Sequence, residues 1–278
     1  MNAIKIMFAK VFGERNTGTN FLVKLLDANT NLINLTHSNK NDYKKRRMQQ
    51  LTLWNAKELK SEQTRDFLKQ RLVDAERERE FHLNFGWKHA KIQIERIENL
   101  PRFKDTLFIC LIRNPWRFIS ALHRRPYNYL PKSKKNFEDF ILSPLITNQR
   151  DGITDCFLDN PVELWNLKVN SYFNFAQKHP SNVRIVYYEE IMQDTQQFLD
   201  NLSSFCCLKN NIIIPQESTK NDKKTFEDYK QEVLNYSPLK VLGDKPTELI
   251  SDRLDHTVFA KTIYSKMTSF MNLLPQEM

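Results

Sequence analysis

The chain has 278 residues, of which 40% are hydrophobic and 12% aromatic, so it can bury a core and is not a disordered protein. Its 42 Lys and Arg residues outnumber its 33 Asp and Glu residues, and the resulting net charge of +9 favours an anionic partner. No run of 18 apolar residues occurs, so we expect no transmembrane helix and no membrane partner.

The first residues and the cysteines indicate the cellular compartment. Charged side chains are scattered through residues 1–16, which argues against a secretory signal. Four cysteines have no metal-binding spacing and are predicted to be reduced thiols: Cys110, Cys156, Cys206 and Cys207. We therefore expect a cytoplasmic protein without a metal site.

A glycine loop joins the first predicted strand to the first predicted helix. The β-branched and aromatic run of residues 4–12 predicts the strand, and the apolar run of residues 21–26 predicts the helix. Between them stand Gly13 and Gly18, two of only five glycines in the chain. In such a unit the backbone N–H groups and the helix dipole face an anion, so the pattern predicts a phosphate cradle.

The residues that follow Gly18 separate this loop from one that binds a nucleoside triphosphate with magnesium. That loop continues with Lys and then Ser or Thr, which hold the β/γ-phosphates and Mg²⁺. Here the two positions are Thr19 and Asn20, so the loop keeps backbone donors for an anion and lacks the magnesium-binding hydroxyl. Further charge and hydrogen bonds are expected from Arg15, Asn16, Thr17 and Thr19.

Residues 37–80 are strongly polar. They contain a basic cluster at residues 44–47 (KKRR). The charge-dense stretch of residues 58–80 has apolar residues with helical spacing: Leu59, Phe67, Leu68 and Leu72. We predict exposed helices that pack by one narrow apolar stripe. This helical excursion between core elements is expected to cover the substrate cleft.

The apolar run of residues 106–112 predicts a central strand, buried on both faces of a parallel sheet. Arg113 follows it directly, at the edge where α/β sheets bind ligands, and Pro115 begins the next helix. Residues 126–160 are predicted to be loop-like. A basic patch in this segment consists of Lys132, Lys134 and Lys135.

The remaining pattern completes the prediction of the fold. A helix, a strand and a helix are predicted over residues 162–176, 183–188 and 198–206. Strands that alternate with helices predict an α/β protein with a central parallel sheet flanked by helices. We expect one domain over residues 1–278.

The loop sequence VFGERNTGTNFL at residues 11–22 resembles the 5′-phosphosulfate loop of sulfotransferases. The resemblance implies a fold like that of P-loop-containing nucleoside triphosphate hydrolases and a metal-independent donor, 3′-phosphoadenosine 5′-phosphosulfate. It also implies donor contacts from Gly13, Arg15, Asn16, Thr17, Gly18, Thr19 and Asn20. The family's basic residue two places before the second glycine is Asn16 here, and Arg15 stands one place earlier. Both are candidates for the contact with the sulfonate.

Two further stretches resemble elements of the same family. The resemblance of IRNP at residues 112–115 implies that Arg113 and Ser120 hold the 3′-phosphate of the donor, although their spacing is seven and the family's is commonly eight. The sequence VYYEEI at residues 186–191 resembles a structural Y-E-D-L element before a later helix. The order of the three stretches strengthens the match.

Sulfuryl transfer needs a base for the acceptor and cations for the leaving group. We predict His89 as the base, because an imidazole pKa of about 6.5 suits proton transfer near neutral pH. The family often places a lysine and a histidine close together here, which Lys88 and His89 resemble, although neighbours on a strand face opposite ways. Arg15 and Lys88 are expected to stabilise the leaving group. Glu14 and His123 are alternative bases.

The sequence thus predicts a sulfotransferase with a hydroxyl or amine acceptor, for which a carbohydrate and a small molecule are candidates. One alternative is an ATP-dependent kinase of the phosphate-loop class, against which the residues after Gly18 argue. The other is a non-enzymatic, basic polyanion-binding protein. Its basic clusters are scattered and no nucleic-acid-binding motif is present, so we expect no nucleic acid partner.

Overall fold

The computed structural model describes residues 6–36, 62–126, 136–216 and 224–264. The strands of these residues are β1 (Phe8–Phe12), β2 (Ile33–Asn34), β3 (Thr106–Ile112), β4 (Leu145–Ile146), β5 (Phe157–Leu158) and β6 (Val183–Tyr187). The helices are α1 (Thr19–Asn29), α2 (Glu62–Arg79), α3 (Phe81–Asn84), α4 (Ile94–Ile97), α5 (Pro115–Arg124), α6 (Phe137–Ile141), α7 (Pro161–Lys178), α8 (Tyr188–Gln193), α9 (Thr195–Leu202), α10 (Phe226–Leu234), α11 (Pro238–Leu242), α12 (Asp244–Ser251) and α13 (His256–Tyr264).

Four strands form one parallel sheet in the order β2-β1-β3-β6. In the register, Phe12 of β1 is paired with Cys110 of β3, and Ile112 of β3 is paired with Tyr187 of β6. The carboxyl ends of β1, β3 and β6 therefore lie at the same edge of the sheet. Since ligands of open α/β sheets bind at this edge, the segments that follow these three strands are placed to form a site.

Strand β3 is buried along its whole length, because helices cover both faces of the sheet. Phe108 and Cys110 contribute to a core layer with α5 and α7. Leu107 and Ile109, which point to the opposite face, contribute to a second layer with α1, α8 and α9. The predicted central strand and the predicted α/β fold class are confirmed.

The attachment of α2 differs from the predicted apolar stripe. Leu68 and Leu72 are each 37% exposed, whereas Asp74 is buried. Arg150, in the 3₁₀ turn Gln149–Asp151, donates a 2.8 Å hydrogen bond to Asp74 from a buried position. At Leu68 and Leu72 the prediction was wrong, because it considered only apolar periodicity, whereas a buried ion pair holds this part of the helix. The other two residues of the predicted stripe, Leu59 and the side chain of Phe67, lie outside what the structure describes.

Both of the predicted basic clusters, residues 44–47 and the patch of Lys132, Lys134 and Lys135, lie outside the described residues. In its described part, the segment of residues 126–160 is more regular than predicted, with helix α6 and the antiparallel hairpin β4–β5. Among the helices described here, none combines the length and apolar character needed to cross a membrane.

Candidate functional site

The glycine loop lies between β1 and α1, as the sequence predicts. It is a tight turn in which the Thr17 N–H donates to the carbonyl oxygen of Glu14 at 3.2 Å. Asn16 and Gly18 have left-handed backbone conformations, with φ of 66° and 96°. Two left-handed residues curl the loop around its own backbone, as in the nests that bind anions. The N–H groups of Arg15 and Thr17 are bonded to Glu14 within the loop.

Both loop glycines are required by close packing. A Cβ at Gly13 would lie 2.8 Å from Thr19 Cγ2 and 2.9 Å from Thr17 Oγ1. A Cβ at Gly18 would lie 2.5 Å from the ring of Tyr188, at a φ that L side chains rarely adopt. The loop therefore lies directly against the residue that follows β6, and a side chain at either glycine would displace it.

A cavity of about 510 Å³ opens above the loop. Its cationic wall residues are Arg15, Lys24, Arg77, Lys88, Arg113 and Arg125. Its other wall residues are Asn16, Gly18, Thr19, Asn20, Phe21, Trp87, His89, Tyr188, Met192, Pro215, Gln216, Phe226 and Tyr229. Within the described ranges, no carboxylate lines it. Such a wall creates a strong positive potential and selects a ligand with several negative charges.

Lys88 and His89 lie in a turn rather than on the short strand that the sequence predicts. The Ala90 N–H donates to the Trp87 carbonyl at 2.9 Å, which closes the turn, and both Lys88 and His89 line the cavity. On a strand these neighbours would face opposite ways, and the turn is the local bend that lets both of them line one cavity. The Gly13 N–H donates to the Lys88 carbonyl at 2.9 Å, so this turn is attached to the loop.

The Lys88 ammonium lies over the start of α1, where its Nζ donates to Asn20 Oδ1 at 2.5 Å. Burial and the neighbouring charge of Arg77 lower the pKa of Lys88 to about 8. A lowered lysine pKa is the consequence of a cationic, partly dry wall. An anion in the cavity would reverse this effect.

His89 is half-buried, and its Nδ1 lies 2.5 Å from the carbonyl oxygen of Gly13. Burial, together with the charges of Lys88 and Arg15, lowers the pKa of His89 well below its usual value, so the ring is neutral near pH 7. Since a carbonyl only accepts, Nδ1 must carry the proton, and Nε2 is left with a free lone pair. The imidazole is thus held in the tautomer that can accept a proton at Nε2.

Neither alternative base lines the cavity in the described structure. Glu14 is 5% exposed and forms an ion pair with Lys168. His123 packs against Phe137 and Phe140, with ring centroids 5.1 and 5.0 Å apart. This placement favours His89.

The two candidates for the sulfonate contact both line the cavity, but their side chains are held differently. The guanidinium of Arg15 stacks on the ring of Trp87, 4.5 Å from its centroid. The side-chain amide of Asn16 donates to the Ala121 carbonyl of α5 at 3.4 Å. Of these two residues, Arg15 therefore contributes a positive charge to the cavity wall, while the side chain of Asn16 connects the loop to α5.

Arg113 joins the end of β3 to the loop. Its Nη1 donates to the carbonyl oxygen of Asn16, and its guanidinium lies 5.1 Å from the ring centroid of Tyr188. Ser120 is half-buried on α5 and is not among the cavity-lining residues that the structure describes. Arg125, which follows the same helix, does line the cavity.

Several residues of the site were not predicted from the sequence. Trp87 and Arg77 line the cavity, while Lys168 and Asp151 lie beneath the loop and contact its side chains. Lys168 could have been recognised from the sequence, because it occupies the apolar face of α7, one turn after Leu164. A lysine on such a face needs a buried partner.

A parallel α/β sheet, a glycine loop without the magnesium-binding residues and a cationic cavity define a class: α/β proteins with a cationic cavity at the carboxyl edge of the sheet. The family model described as "Sulfotransferase domain" matches residues 11–248, and the chain belongs to this family. The predicted resemblance is thereby confirmed, and sulfuryl transfer is supported as the general activity. The comparison with curated proteins gives no match.

Proposed function

We propose that the protein transfers a sulfuryl group from 3′-phosphoadenosine 5′-phosphosulfate to a hydroxyl or amine acceptor. The observation that carries this proposal is the cavity itself, which has six cationic side chains and, in the described residues, no carboxylate. A donor with a 3′-phosphate and a 5′-phosphosulfate is complementary to the positive charge of this lining. The acceptor is a carbohydrate or a small molecule in this proposal, and the location is cytoplasmic.

The residues present fit such a donor. The Nε of Arg113 is buried without a hydrogen-bond partner in the described structure, so an N–H is available to a phosphate oxygen. Arg113, with Ser120 or Arg125 nearby on the chain, is proposed to hold the 3′-phosphate. The loop residues that line the cavity are proposed to hold the 5′-phosphosulfate: Arg15, Asn16, Gly18, Thr19 and Asn20. The predicted donor residues Gly13 and Thr17 are not among the lining residues that the structure describes.

The wall also has an apolar part suited to a nucleoside. Phe21 of α1 and Phe226 of α10 stack with ring centroids 5.6 Å apart, and Tyr229 and Met192 lie in the same wall. Aromatic side chains bind nucleobases through their faces. The combination of cations and aromatic rings supports a nucleotide rather than a simple inorganic anion.

The mechanism follows from the positions of His89, Lys88 and Arg15. When bound, the donor supplies the sulfuryl group and a phosphate leaving group. The free Nε2 of His89 accepts the proton of the acceptor hydroxyl or amine, which makes that atom nucleophilic. Lys88 and Arg15 offer positive charge where negative charge develops on the leaving oxygen. The hydrogen bond from the Gly13 N–H to the Lys88 carbonyl holds Lys88 at the loop, and the Trp87 ring holds the Arg15 guanidinium. These contacts preorganise the two positive charges.

Calorimetric titration tests the proposal against the two alternatives. We expect 3′,5′-adenosine bisphosphate to bind more tightly than ATP with Mg²⁺. The glycine loop and Arg113 are proposed to bind one phosphate each, and the loop lacks the Lys and Ser of a triphosphate loop. A preference for ATP with Mg²⁺ would contradict the proposal and favour a kinase. Salt-sensitive binding of polyanions with no bisphosphate binding would favour the non-enzymatic alternative.

A further inference from the structure

An acidic residue inside an anion-binding loop requires an explanation. Glu14 lies between Gly13 and Arg15, and its negative charge would oppose an anion held by the loop. The structure turns its side chain away from the cavity, to a position with 5% exposure. There the carboxylate accepts a hydrogen bond from Nζ of Lys168, which comes from α7, 154 positions later in the chain.

Lys168 is the centre of a buried ionic cluster formed by Glu14, Arg15, Asp151 and Lys168. Its side chain is 1% exposed, and its Nζ lies 3.5 Å from Asp151 Oδ1. Arg15 Nη1 lies 3.6 Å from Glu14 Oε1 and 3.9 Å from Asp151 Oδ1. The cluster therefore contains two positive and two negative groups, and Arg15 belongs both to it and to the cavity wall.

Lys168 also contacts the turn that carries the proposed base. Its Nζ donates to the backbone carbonyl of His89, so a single ammonium group joins α7, the glycine loop and this turn. Asp151 adds a second connection, because its backbone carbonyl accepts from the Lys91 N–H at 2.7 Å. The ring of His89 is in turn bonded to Gly13.

We propose that Lys168 is a positioning residue of the donor site: it neutralises Glu14, so that the charge of Arg15 acts on an anion in the cavity, and it holds the His89 turn against the loop. This inference rests on the proposed function, since it assumes that the cavity binds the anionic donor. Without Lys168 the cluster would carry a net charge of −1 directly beneath the loop. Arg15 would then be drawn to the two carboxylates rather than to the ligand.

The test compares the affinities of an anionic and an uncharged ligand. For Lys168→Met we expect the calorimetric affinity for 3′,5′-adenosine bisphosphate to fall at least about tenfold, as when one partner of a buried charge pair is removed. The affinity for adenosine, followed by ligand-observed NMR, should change little, because no phosphate is involved. Lys178→Met is the control, since Lys178 lies at the exposed end of the same helix.

Two further variants keep the test decisive if Lys168→Met folds poorly. Lys168→Arg should retain the bisphosphate affinity, because the positive charge is kept. The double variant of Glu14→Gln with Lys168→Met removes both charges and should recover most of that affinity, whereas Glu14→Gln alone should not lower it. At a saturating concentration of the sulfuryl donor, turnover should stay reduced in the double variant. The reason is that the backbone carbonyl of His89 no longer accepts a hydrogen bond from Lys168 Nζ.

The outcomes separate this inference from the proposed function. If the unchanged protein does not bind the bisphosphate, the proposed function fails. If it binds, and Lys168→Met lowers the affinities for adenosine and bisphosphate equally, Lys168 is merely structural and the inference is overturned. Unchanged bisphosphate affinity in that variant, or no recovery in the double variant, overturns it as well.

Discussion

The cavity wall and the buried ionic cluster beneath it meet at two consecutive residues, Glu14 and Arg15. In the cluster every positive group faces a carboxylate, with Lys168 between Glu14 and Asp151. In the wall the cationic side chains have no carboxylate among the described lining residues. Buried charge costs free energy unless it is paired. Arg15 and Arg77 of the wall are paired with carboxylates that lie outside it, those of Glu14, Asp151 and Glu80. The lining as a whole is still strongly cationic, and a ligand with several negative charges would balance it.

This difference predicts where substitutions act. Changes in the wall should alter ligand binding or turnover, because its cationic side chains line the cavity. Changes in the cluster should alter the melting temperature too, since breaking a buried ion pair leaves a carboxylate or ammonium group uncompensated. Three substitutions or conditions test the wall.

The largest expected effect is that of His89→Ala. Loss of a general base lowers turnover by about 10²- to 10⁴-fold, while affinity for 3′,5′-adenosine bisphosphate should be kept. Turnover at saturating donor and calorimetric affinity measure the two quantities. His123→Ala is a matched control, since His123 does not line the cavity in the described structure. Normal turnover in His89→Ala would remove His89 from its proposed role.

Arg113→Ala should have the next largest effect. Hydrogen bonds to charged groups contribute about 1.5–3 kcal/mol, so we expect about a ten- to hundredfold loss of bisphosphate affinity. Adenosine 5′-phosphate, which lacks the 3′-phosphate, should lose much less affinity in the same titration. Arg124→Ala, an exposed change at the end of α5, serves as the control. Equal losses for both nucleotides would show that Arg113 does not read the 3′-phosphate.

The smallest expected effect is a pH dependence that originates in Lys88. With a pKa of about 8, this side chain is charged below pH 8 and neutral above it. Bisphosphate affinity should therefore fall as pH rises from 7 to 9, by about three- to fivefold, the effect of a partly exposed ion pair. Binding near pH 8 should also take up protons, which calorimetry in buffers of different ionisation enthalpy detects. Lys88→Met should remove both the decrease and the proton uptake.

The parts of the site that are local in the chain could be predicted well. Gly13 and Gly18 were recognisable because a strand, a scarce glycine pair and a helix follow one another directly. The seven apolar residues of β3 indicated a strand with both faces covered, and so Arg113 was placed at the sheet edge. These features depend on neighbours in sequence, so spacing and residue type are sufficient to predict them.

Other predictions failed where local rules were extended too far. Lys88 and His89 face the same cavity because they lie in a turn, and α2 is attached through Asp74 rather than through Leu68 and Leu72. In both cases the periodicity of a strand or helix was read from a few residues. Tertiary contacts overrode that periodicity.

What residue order alone determines is the family, the fold class and the position of the glycine loop. What tertiary structure adds is the balance of charge around that loop. Lys168 and Glu14 are 154 positions apart, and only the packing of α7 against the sheet edge brings their charges into contact. Coulombic interaction depends on distance in space and on exclusion of water, and residue spacing along the chain determines neither of them.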